Sequence, residues 1–172
     1  MNFMELAKAR YSCRKFTDQT VTDDQINQIL EAARCAPTAT NAQAYKLWVI
    51  KNPESIEKVN QATKNGYGAK TMILLGANRS GAWTRENDDH NFADVDAGII
   101  GAHILFEVQA LGLGATWVGR VDPEKLAELF PETKDYTIVG LFPIGYPSSE
   151  AAGQPSKKHT TRKPLSEVVG EL

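Results

Sequence analysis

The spacing of apolar residues along the chain predicts five helices and four strands. The predicted helices begin near Asn2, Thr22, Asn52, Asp94 and Asp122, and the predicted strands cover residues 45–51, 70–76, 115–121 and 136–146. Two helices precede the first strand, whereas a parallel doubly wound sheet alternates strand and helix from its start. The order therefore favours an α+β sandwich around one sheet, in a single domain that covers residues 1–172.

The helix that begins near Asp94 is the element around which we expect the others to pack. Its apolar residues, such as Val95 and Ile99, spread over more than one face, so the helix should be largely buried. Gly98 and Gly101 lie inside it, and an internal glycine destabilises a helix by about 0.5–1 kcal/mol relative to alanine. We therefore expect a second backbone or a flat ligand near these glycines. The alternative is a core helix with no site beside it.

Capping residues, glycine and proline predict several boundaries. Thr22 followed by Gln25 has the pattern of a capping box. Pro37 ends that helix, because the residue before a proline disfavours the helical conformation. Gly112 ends the long helix, because glycine readily takes the left-handed conformation found there. Pro143 predicts a bulge or an edge position in the last strand.

Two segments have the composition of irregular structure. Residues 78–91 are charged, which predicts an exposed loop, and residues 81–92 could also act as a flexible lid. Residues 148–161 are rich in Ser, Gly, Pro and Lys, and such a tail cannot pack on its own apolar surface. The apolar segment 165–169 favours a tail held by a partner over a disordered one.

Composition and motifs exclude several function classes. The net charge of −2 indicates no nucleic-acid partner, and no apolar run is long enough to cross a membrane. The first ten residues form an amphipathic start rather than a signal peptide, so we expect a cytoplasmic protein. Neither cysteine, Cys13 or Cys35, has metal-ligand spacing, and the histidines are far apart in the chain, so we expect no metal. The chain also lacks a P-loop and a dinucleotide-binding glycine pattern.

Basic residues cluster at both ends of this slightly acidic chain. One cluster contains Arg10, Arg14 and Lys15, and the other contains Lys157, Lys158, Arg162 and Lys163. Paired guanidinium groups bind phosphate oxygens with fixed geometry, so the two clusters together suit one dianionic phosphate. Two separate solvated basic surfaces are the alternative that the sequence leaves open.

Four patterns, taken in order, resemble those of the FMN-dependent nitroreductase family. They are Arg-x-Ser-x-Arg-x-Phe at 10–16, Ala-Pro-Thr-x-x-Asn-x-Gln at 36–43, Leu-Gly-Leu-Gly-x-x-Trp-Val-Gly at 111–119 and Arg-Lys-Pro-Leu-x-x-Val-Val at 162–169. The resemblance implies a three-layer α+β sandwich with a central mixed sheet. It also implies an intertwined homodimer with two FMN sites at the subunit interface, in which residues 148–172 form an arm over the partner.

The same resemblance implies a set of cofactor contacts. The residues are Arg10 and Arg162 at the phosphate with Ser12 beside them, Tyr11 as a cofactor contact, Arg14 near N1 and O2 of the flavin, Pro37, Thr38 and Asn41 from the partner subunit, Asn65 as a further contact, and the backbone of Val118 and Gly119 near N5. Arg14 is the residue with an implied catalytic role, through stabilisation of negative charge on the flavin. Thr160 stands where many relatives carry a Lys or Arg, and Lys157 or Lys158 could replace that charge.

The implied activity is an oxidoreductase reaction with FMN as cofactor. NADH or NADPH gives a hydride to the flavin, and nitroaromatics, quinones or similar acceptors then take the electrons in a ping-pong cycle. A flavin storage or sensor protein without turnover is one alternative, and reductive dehalogenation or flavin breakdown on the same scaffold is another. A third is an interaction domain without a cofactor. The sequence leaves open the choice between NADH and NADPH and any redox role of Cys13.

Overall fold

The computed structural model describes residues 2–172, which form a sheet between two layers of helices. The helices are α1 (Phe3–Ala9), α2 (Asp23–Arg34), α3 (Pro53–Ala62), α4 (Ala93–Ala110) and α5 (Pro123–Leu129). The strands are β1 (Tyr45–Ile50), β2 (Thr71–Ala77), β3 (Thr84–Arg85), β4 (His90–Asn91), β5 (Gly114–Ala115) and β6 (Thr137–Gly145). The main sheet has the order β1-β2-β6-β5, and β3 and β4 form a separate hairpin.

The helix starts follow from their capping residues. Thr22 accepts a hydrogen bond from the Gln25 backbone, and the Gln25 side chain accepts one in return, so the predicted capping box is confirmed. The side chains of Asn52 and Asp122 cap α3 and α5 by accepting a hydrogen bond from a first-turn amide, without a return bond, and each helix has a proline at its first position. Gly112 follows α4 with a φ of +72°, as expected for a helix that ends in a left-handed residue.

The three-layer arrangement is visible in the alternation of side chains along β2. Ile73 and Leu75 pack with α2 and α4 in one apolar cluster, whereas Met72 and Leu74 pack with α3 and α5 in the other. Successive side chains of a strand point to opposite faces, so β2 is buried along its whole length. The α+β sandwich is therefore confirmed.

A single parallel bridge makes the sheet mixed, since the pairs of named strands are antiparallel. The strand pairs β1–β2, β2–β6 and β6–β5 are all antiparallel. The parallel contact within residues 2–172 is an isolated bridge between Ser12 and Ala115. The N-terminal segment thus joins the sheet beside β5, which matters for the site described below.

The predicted strand over residues 115–121 was wrong in length. Only Gly114–Ala115 form strand β5, and Val118 adds a single bridge to Leu141. The indole of Trp117 lies over the backbone of Gly140 and donates a 3.1 Å hydrogen bond to the Val139 carbonyl. The Trp117 ring therefore occupies space beside β6, and the pairing of β5 with β6 ends at Ala115.

Pro143 occupies an inner strand, so the expected edge position was wrong, whereas the expected bulge of the last strand is present but lies away from Pro143. It stands opposite Met72 in β6, while the pairing with β5 ends at Ile144. Because β5 is so short, Pro143 needs no hydrogen-bond partner on that side. The bulge of β6 is at Val139, which has no partner in β2.

Helix α4 is less buried than predicted, because one face remains open. Gly101 does mark a close approach, but of a side chain: a Cβ there would lie 2.2 Å from the Trp117 ring. Gly98 faces open space within the chain. It lies in an apolar groove of about 610 Å³ between α1 and α4, the α1–α4 groove, where Val95 is 43% exposed.

The two irregular segments have local structure of their own. The charged segment 78–91 contains the β3–β4 hairpin. The C-terminal tail makes short 3-10 turns at Ala151–Gly153 and Leu165–Glu167, and its apolar end is exposed, with Leu165 at 76%. Within residues 2–172, no helix is both long enough and apolar enough to cross a membrane.

Candidate functional site

The N-terminal segment after α1 is held between β5 and the start of the tail. The amide of Cys13 donates to the Ala115 carbonyl over 3.0 Å, and the amide of Arg14 donates to the Ala152 carbonyl over 2.9 Å. The hydroxyl of Tyr11 donates to the carbonyl of Gly153 over 2.9 Å. These bonds bring the two ends of the chain together.

The contact between the chain ends is closely packed. A Cβ on Gly153 would lie 2.3 Å from the Ser148 carbonyl oxygen, so this turn requires glycine. Burial raises the pKa of the Tyr11 hydroxyl, and the neighbouring Cys13 thiol raises it further. Burial also raises the pKa of Cys13, whose Sγ lies 3.3 Å from the Lys15 carbonyl oxygen. Both side chains therefore remain protonated hydrogen-bond donors at neutral pH.

A cleft of about 180 Å³ opens between the joined ends, and we call it the cationic cleft. Its lining residues are Arg10, Tyr11, Ser12, Arg14, Ser156, Lys158, His159 and Arg162. The two basic clusters of the sequence thus meet in one place, so the alternative of two separate surfaces was wrong. Lys158 lines the cleft, whereas Lys157 is not among its lining residues.

The positive charge of the cationic cleft is not neutralised by the chain. Within residues 2–172, Arg10, Arg14, Lys158 and Arg162 form no ion pair with a carboxylate. Two flanking lysines do form ion pairs, Lys15 with Glu150 and Lys163 with Glu167, the latter over 3.5 Å. Burial lowers the pKa of the Arg10 guanidinium, and the positive charge of Arg162 lowers it further. A bound dianion would relieve this repulsion.

The tail reaches the cleft through a tight turn. The His159 amide donates to the Ser156 carbonyl over 2.9 Å, and Nη1 of Arg162 donates to the His159 carbonyl over 2.7 Å. The ring of His159 also packs edge-on against Tyr11, with 6.1 Å between the ring centroids. The turn therefore orients Lys158 and Arg162 toward the same space.

A second cleft, of about 820 Å³, brings Asn65 and Gly119 together. Thr63 fixes its two walls, since its hydroxyl donates to the Arg120 carbonyl over 2.7 Å and accepts from the Asn65 amide over 3.1 Å. The Asn65 side chain is oriented by a 2.8 Å hydrogen bond to the Tyr67 hydroxyl. We call this space the Asn65–Gly119 cleft.

The backbone after β5 links the two clefts. Ser12 bridges to Ala115, and Val118 follows three residues later, which is at most about 10 Å of extended chain. The amide of Val118 donates to the Leu141 carbonyl over 2.9 Å and is therefore occupied. The Gly119 amide has no backbone acceptor within the described residues, so it is the one of the two predicted amides that is free to meet a ligand.

The segment Pro37–Gln43 lines neither cleft. The family resemblance implies that Pro37, Thr38 and Asn41 contact the FMN bound by the partner subunit, and it implies no contact of this segment with the cofactor of its own chain. None of the three lines either cleft within one chain. The segment is instead attached to α4, where the Ala39 amide donates to Oδ1 of Asp96 over 2.9 Å.

Sequence reasoning missed several residues of the cationic cleft. Ser156 was not singled out, and His159 was considered only as a metal ligand. A signal was present, because His159 lies between the basic residues Lys158 and Arg162. Among residues 2–172, no group of three His, Cys, Asp or Glu side chains is placed to hold a metal ion.

The fold and the cleft define a three-layer α+β protein with a cationic cleft assembled from its two chain ends. The chain belongs to the nitroreductase family, whose family model matches residues 7–67 and 62–146. A nitroreductase family protein from Clostridium difficile 630 is 36% identical, with a TM-score of 0.90 over 99% of this chain and 98% of that one.

Two further relatives carry more specific names. A protein from Methanothermobacter thermautotrophicus, named as an NADH dehydrogenase/NAD(P)H nitroreductase, is 29% identical over 86% of this chain and 78% of its own length. A structure from Desulfovibrio desulfuricans, assigned as a nitroreductase and solved in complex with FMN, is 27% identical. Its TM-score is 0.79 over 100% of this chain and 98% of that one.

Proposed function

We propose that this protein is an FMN-dependent oxidoreductase that takes a hydride from NADH or NADPH and reduces nitroaromatics, quinones or similar small acceptors. The observation that carries the proposal is the cationic cleft, where both ends of the chain supply positive charge without an internal counter-ion. The FMN complex of the Desulfovibrio relative and the NAD(P)H nitroreductase name of the archaeal relative support the choice of cofactor and donor.

The residues of the cationic cleft fit a phosphate monoester. Arg10, Lys158 and Arg162 supply charged donors, and Tyr11 and Ser12 lie beside them. Nη1 of Arg162 is used within the tail turn, which leaves its other guanidinium nitrogens for the ligand. Charge-assisted hydrogen bonds of this kind are about twice as strong as neutral ones.

We assign the neighbouring groups to the ring system. When bound, the flavin supplies the two-electron chemistry. Nη1 of Arg14 donates to the Ser12 carbonyl over 3.3 Å, which holds the guanidinium at the cleft. Arg14 then stabilises negative charge at N1 and O2, an effect of about 3–4 kcal/mol for a well-placed donor. The Gly119 amide would donate toward N5, and Asn65 would add a polar contact from the opposite wall of the Asn65–Gly119 cleft.

We propose a homodimer as the form that completes the site. The α1–α4 groove and the apolar end of the tail are both exposed in one chain, as expected for surfaces that a partner covers. In the dimer, residues 148–172 lie over the partner subunit, and Pro37, Thr38 and Asn41 reach the partner's cofactor. This arrangement gives a function to a segment that lies outside both clefts of its own chain.

Binding of FMN and riboflavin tests the phosphate assignment. We expect FMN to bind more tightly than riboflavin, since riboflavin lacks the phosphate. Arg10→Ala and Arg162→Ala should each weaken FMN binding by about ten- to a hundredfold and leave riboflavin binding unchanged. Lys163→Ala is the matched control, because Lys163 is paired with Glu167. Equal losses for both flavins, or no loss, would contradict the assignment.

Anaerobic turnover of a nitroaromatic or a quinone tests the activity. Steady reduction with NADH or NADPH supports an enzyme, whereas a flavin-loaded protein that neither donor reduces is a storage or sensor protein. Arg14→Ala should slow reduction of the bound flavin as well as weaken its binding. Reduction at the wild-type rate would show that Arg14 has no catalytic role.

A further inference from the structure

Asp96 is a buried acidic residue with an incomplete set of hydrogen bonds. It lies in the first turn of α4 and is 3% exposed. Its Oδ1 accepts the 2.9 Å hydrogen bond from the Ala39 amide, while its Oδ2 has no partner within residues 2–172. A buried carboxylate oxygen without a donor destabilises a fold, although the helix N-terminus partly offsets the charge.

The segment that Asp96 holds is conformationally strained. Thr40, Asn41 and Gln43 have φ values of +53°, +58° and +50°, which non-glycine residues rarely adopt. Two local hydrogen bonds support this shape: the Gln43 amide donates to Thr38 Oγ1 over 3.0 Å, and the Gln43 side chain donates to the Asn41 carbonyl over 3.2 Å. Strain of this kind persists only where the surroundings impose it, and it concentrates at binding sites.

The bond to Asp96 fixes this strained segment to a rigid element. The segment's internal bonds determine its shape but not its position on the protein. Within residues 2–172, the Ala39–Asp96 bond is the one hydrogen bond between the turn and α4, the long helix that also borders the exposed α1–α4 groove. The chain connections to α2 and β1 place the turn roughly, and the contact with Asp96 adds a fixed point near Thr38 and Asn41.

We infer that Asp96 is a positioning residue, which holds the Thr38–Gln43 turn so that it reaches the flavin bound by the partner subunit. This inference rests on the proposed function. The contact is made through Oδ1, which the side-chain amide of an asparagine could also supply, and Oδ2 has no partner within residues 2–172, so we expect the acceptor rather than the negative charge to be required. Asp96 touches no cofactor itself, and its effect passes through the Ala39 amide.

Flavin affinity of three single variants tests the role of the acceptor. Asp96→Ala should weaken FMN binding by about five- to tenfold, and Asp96→Asn should restore it, because the amide oxygen still accepts from Ala39. Asp94→Ala is the matched control on the same helix turn, since Asp94 is exposed and pairs with Arg79. A loss in Asp96→Asn equal to that in Asp96→Ala overturns the inference, because charge would then be the requirement.

Removal of the donor tests the same bond without a change in α4. Ala39→Pro deletes the N–H at the first position of the 3-10 turn, where proline is tolerated and where Thr38 already has extended backbone. It should reproduce the loss seen with Asp96→Ala. Wild-type FMN affinity in Ala39→Pro overturns the inference.

Mixed dimers test whether the turn acts on the partner's site. Arg10→Ala and Asp96→Ala chains with different affinity tags are co-expressed, and the heterodimer is purified. Each site combines Arg10 of one chain with the turn of the other chain, so the Arg10→Ala chain and the Asp96→Ala chain place both defects in the same site. The second site has wild-type residues at both positions, and we therefore expect one FMN per dimer at wild-type affinity. Weak binding at both sites overturns the inference. If the Arg10→Ala homodimer binds FMN normally, the proposed phosphate site fails instead, independently of Asp96.

Discussion

The Tyr11 hydroxyl and the Gly153 carbonyl are joined by a 2.9 Å hydrogen bond across 142 residues of sequence. The Cys13 thiol approaches the same carbonyl, with Sγ 3.6 Å from its oxygen. Gly153 begins the stretch of tail that carries Lys158 and Arg162 into the cationic cleft. The geometry of the proposed phosphate site therefore depends on a contact made by neutral side chains.

Tyr11→Phe should loosen the tail without removing any charge. Loss of the hydroxyl deletes one partly buried hydrogen bond, which lowers the free energy of unfolding by about 0.5–1.5 kcal/mol. FMN affinity should fall and riboflavin affinity should not, because only the phosphate end of the site is displaced. Urea unfolding and flavin titration measure the two effects. Tyr45→Phe is the control, since the half-buried Tyr45 hydroxyl makes no hydrogen bond within residues 2–172.

Stability should decrease in alkaline solution, partly because of Cys13 and Tyr11. Burial raises the pKa of both groups above their ordinary values of about 9 and 10. The unfolded chain then releases these protons at a lower pH than the folded chain, so the free energy of unfolding falls as pH rises above 9. Below that pH the contribution is fully present.

Two cysteine variants separate this effect from general alkaline unfolding. Cys13→Ala should make the fall in unfolding free energy above pH 9 less steep, whatever its effect at neutral pH. Cys35→Ala, at an exposed position, is the control for the loss of a cysteine as such. Chemical denaturation at a series of pH values gives the slopes. Identical slopes for wild type and Cys13→Ala would exclude a contribution from this thiol.

Gly101→Ala should destabilise the junction between α4 and the sheet. The new methyl group would lie 2.2 Å from the Trp117 ring, and overpacking of this kind lowers stability by about 1–3 kcal/mol. Trp117→Phe gives a smaller ring, so Gly101→Ala should be less destabilising in that background. A double-mutant cycle by urea unfolding measures the coupling. Strictly additive losses would show that the two residues do not meet.

Val95→Lys should prevent dimer formation if the α1–α4 groove is the subunit interface. A lysine in an apolar interface must desolvate its charge, which strongly disfavours association. We expect a monomer by light scattering, together with reduced FMN content. Val95→Ala keeps the groove apolar and should remain dimeric. A Val95→Lys protein that stays dimeric would place the interface elsewhere.

Much of the fold was predictable because it is encoded locally. The capping box of Thr22 and Gln25, the N-terminal prolines of α3 and α5, and the left-handed Gly112 each act over a few residues. The prediction failed at Ala115–Val118 and at Pro143. At both places a distant element decides the strand's limits: the Trp117 ring over Gly140, and the short β5 beside β6.

The residues of the candidate site also fall into two groups, those that the sequence identified and those that only the structure revealed. The residue types and their spacing identified the family and most of the cationic cleft, including Arg10, Arg14 and Arg162. They did not distinguish Lys158 from Lys157, and they did not connect His159 or Asp96 with any ligand. Those assignments depend on a tail turn and on a helix that approach residues more than fifty positions away.

The sequence by itself determined the helices, most strands, the layer order and the chemistry available at each end of the chain. Only the tertiary structure decided that the two basic ends share one cleft, that Trp117 fills the space above Gly101, and that Asp96 holds the strained turn. The reason is physical. Helix and strand propensities act over one or two turns, whereas a binding site is formed by long-range packing, which brings together groups that are distant in the chain.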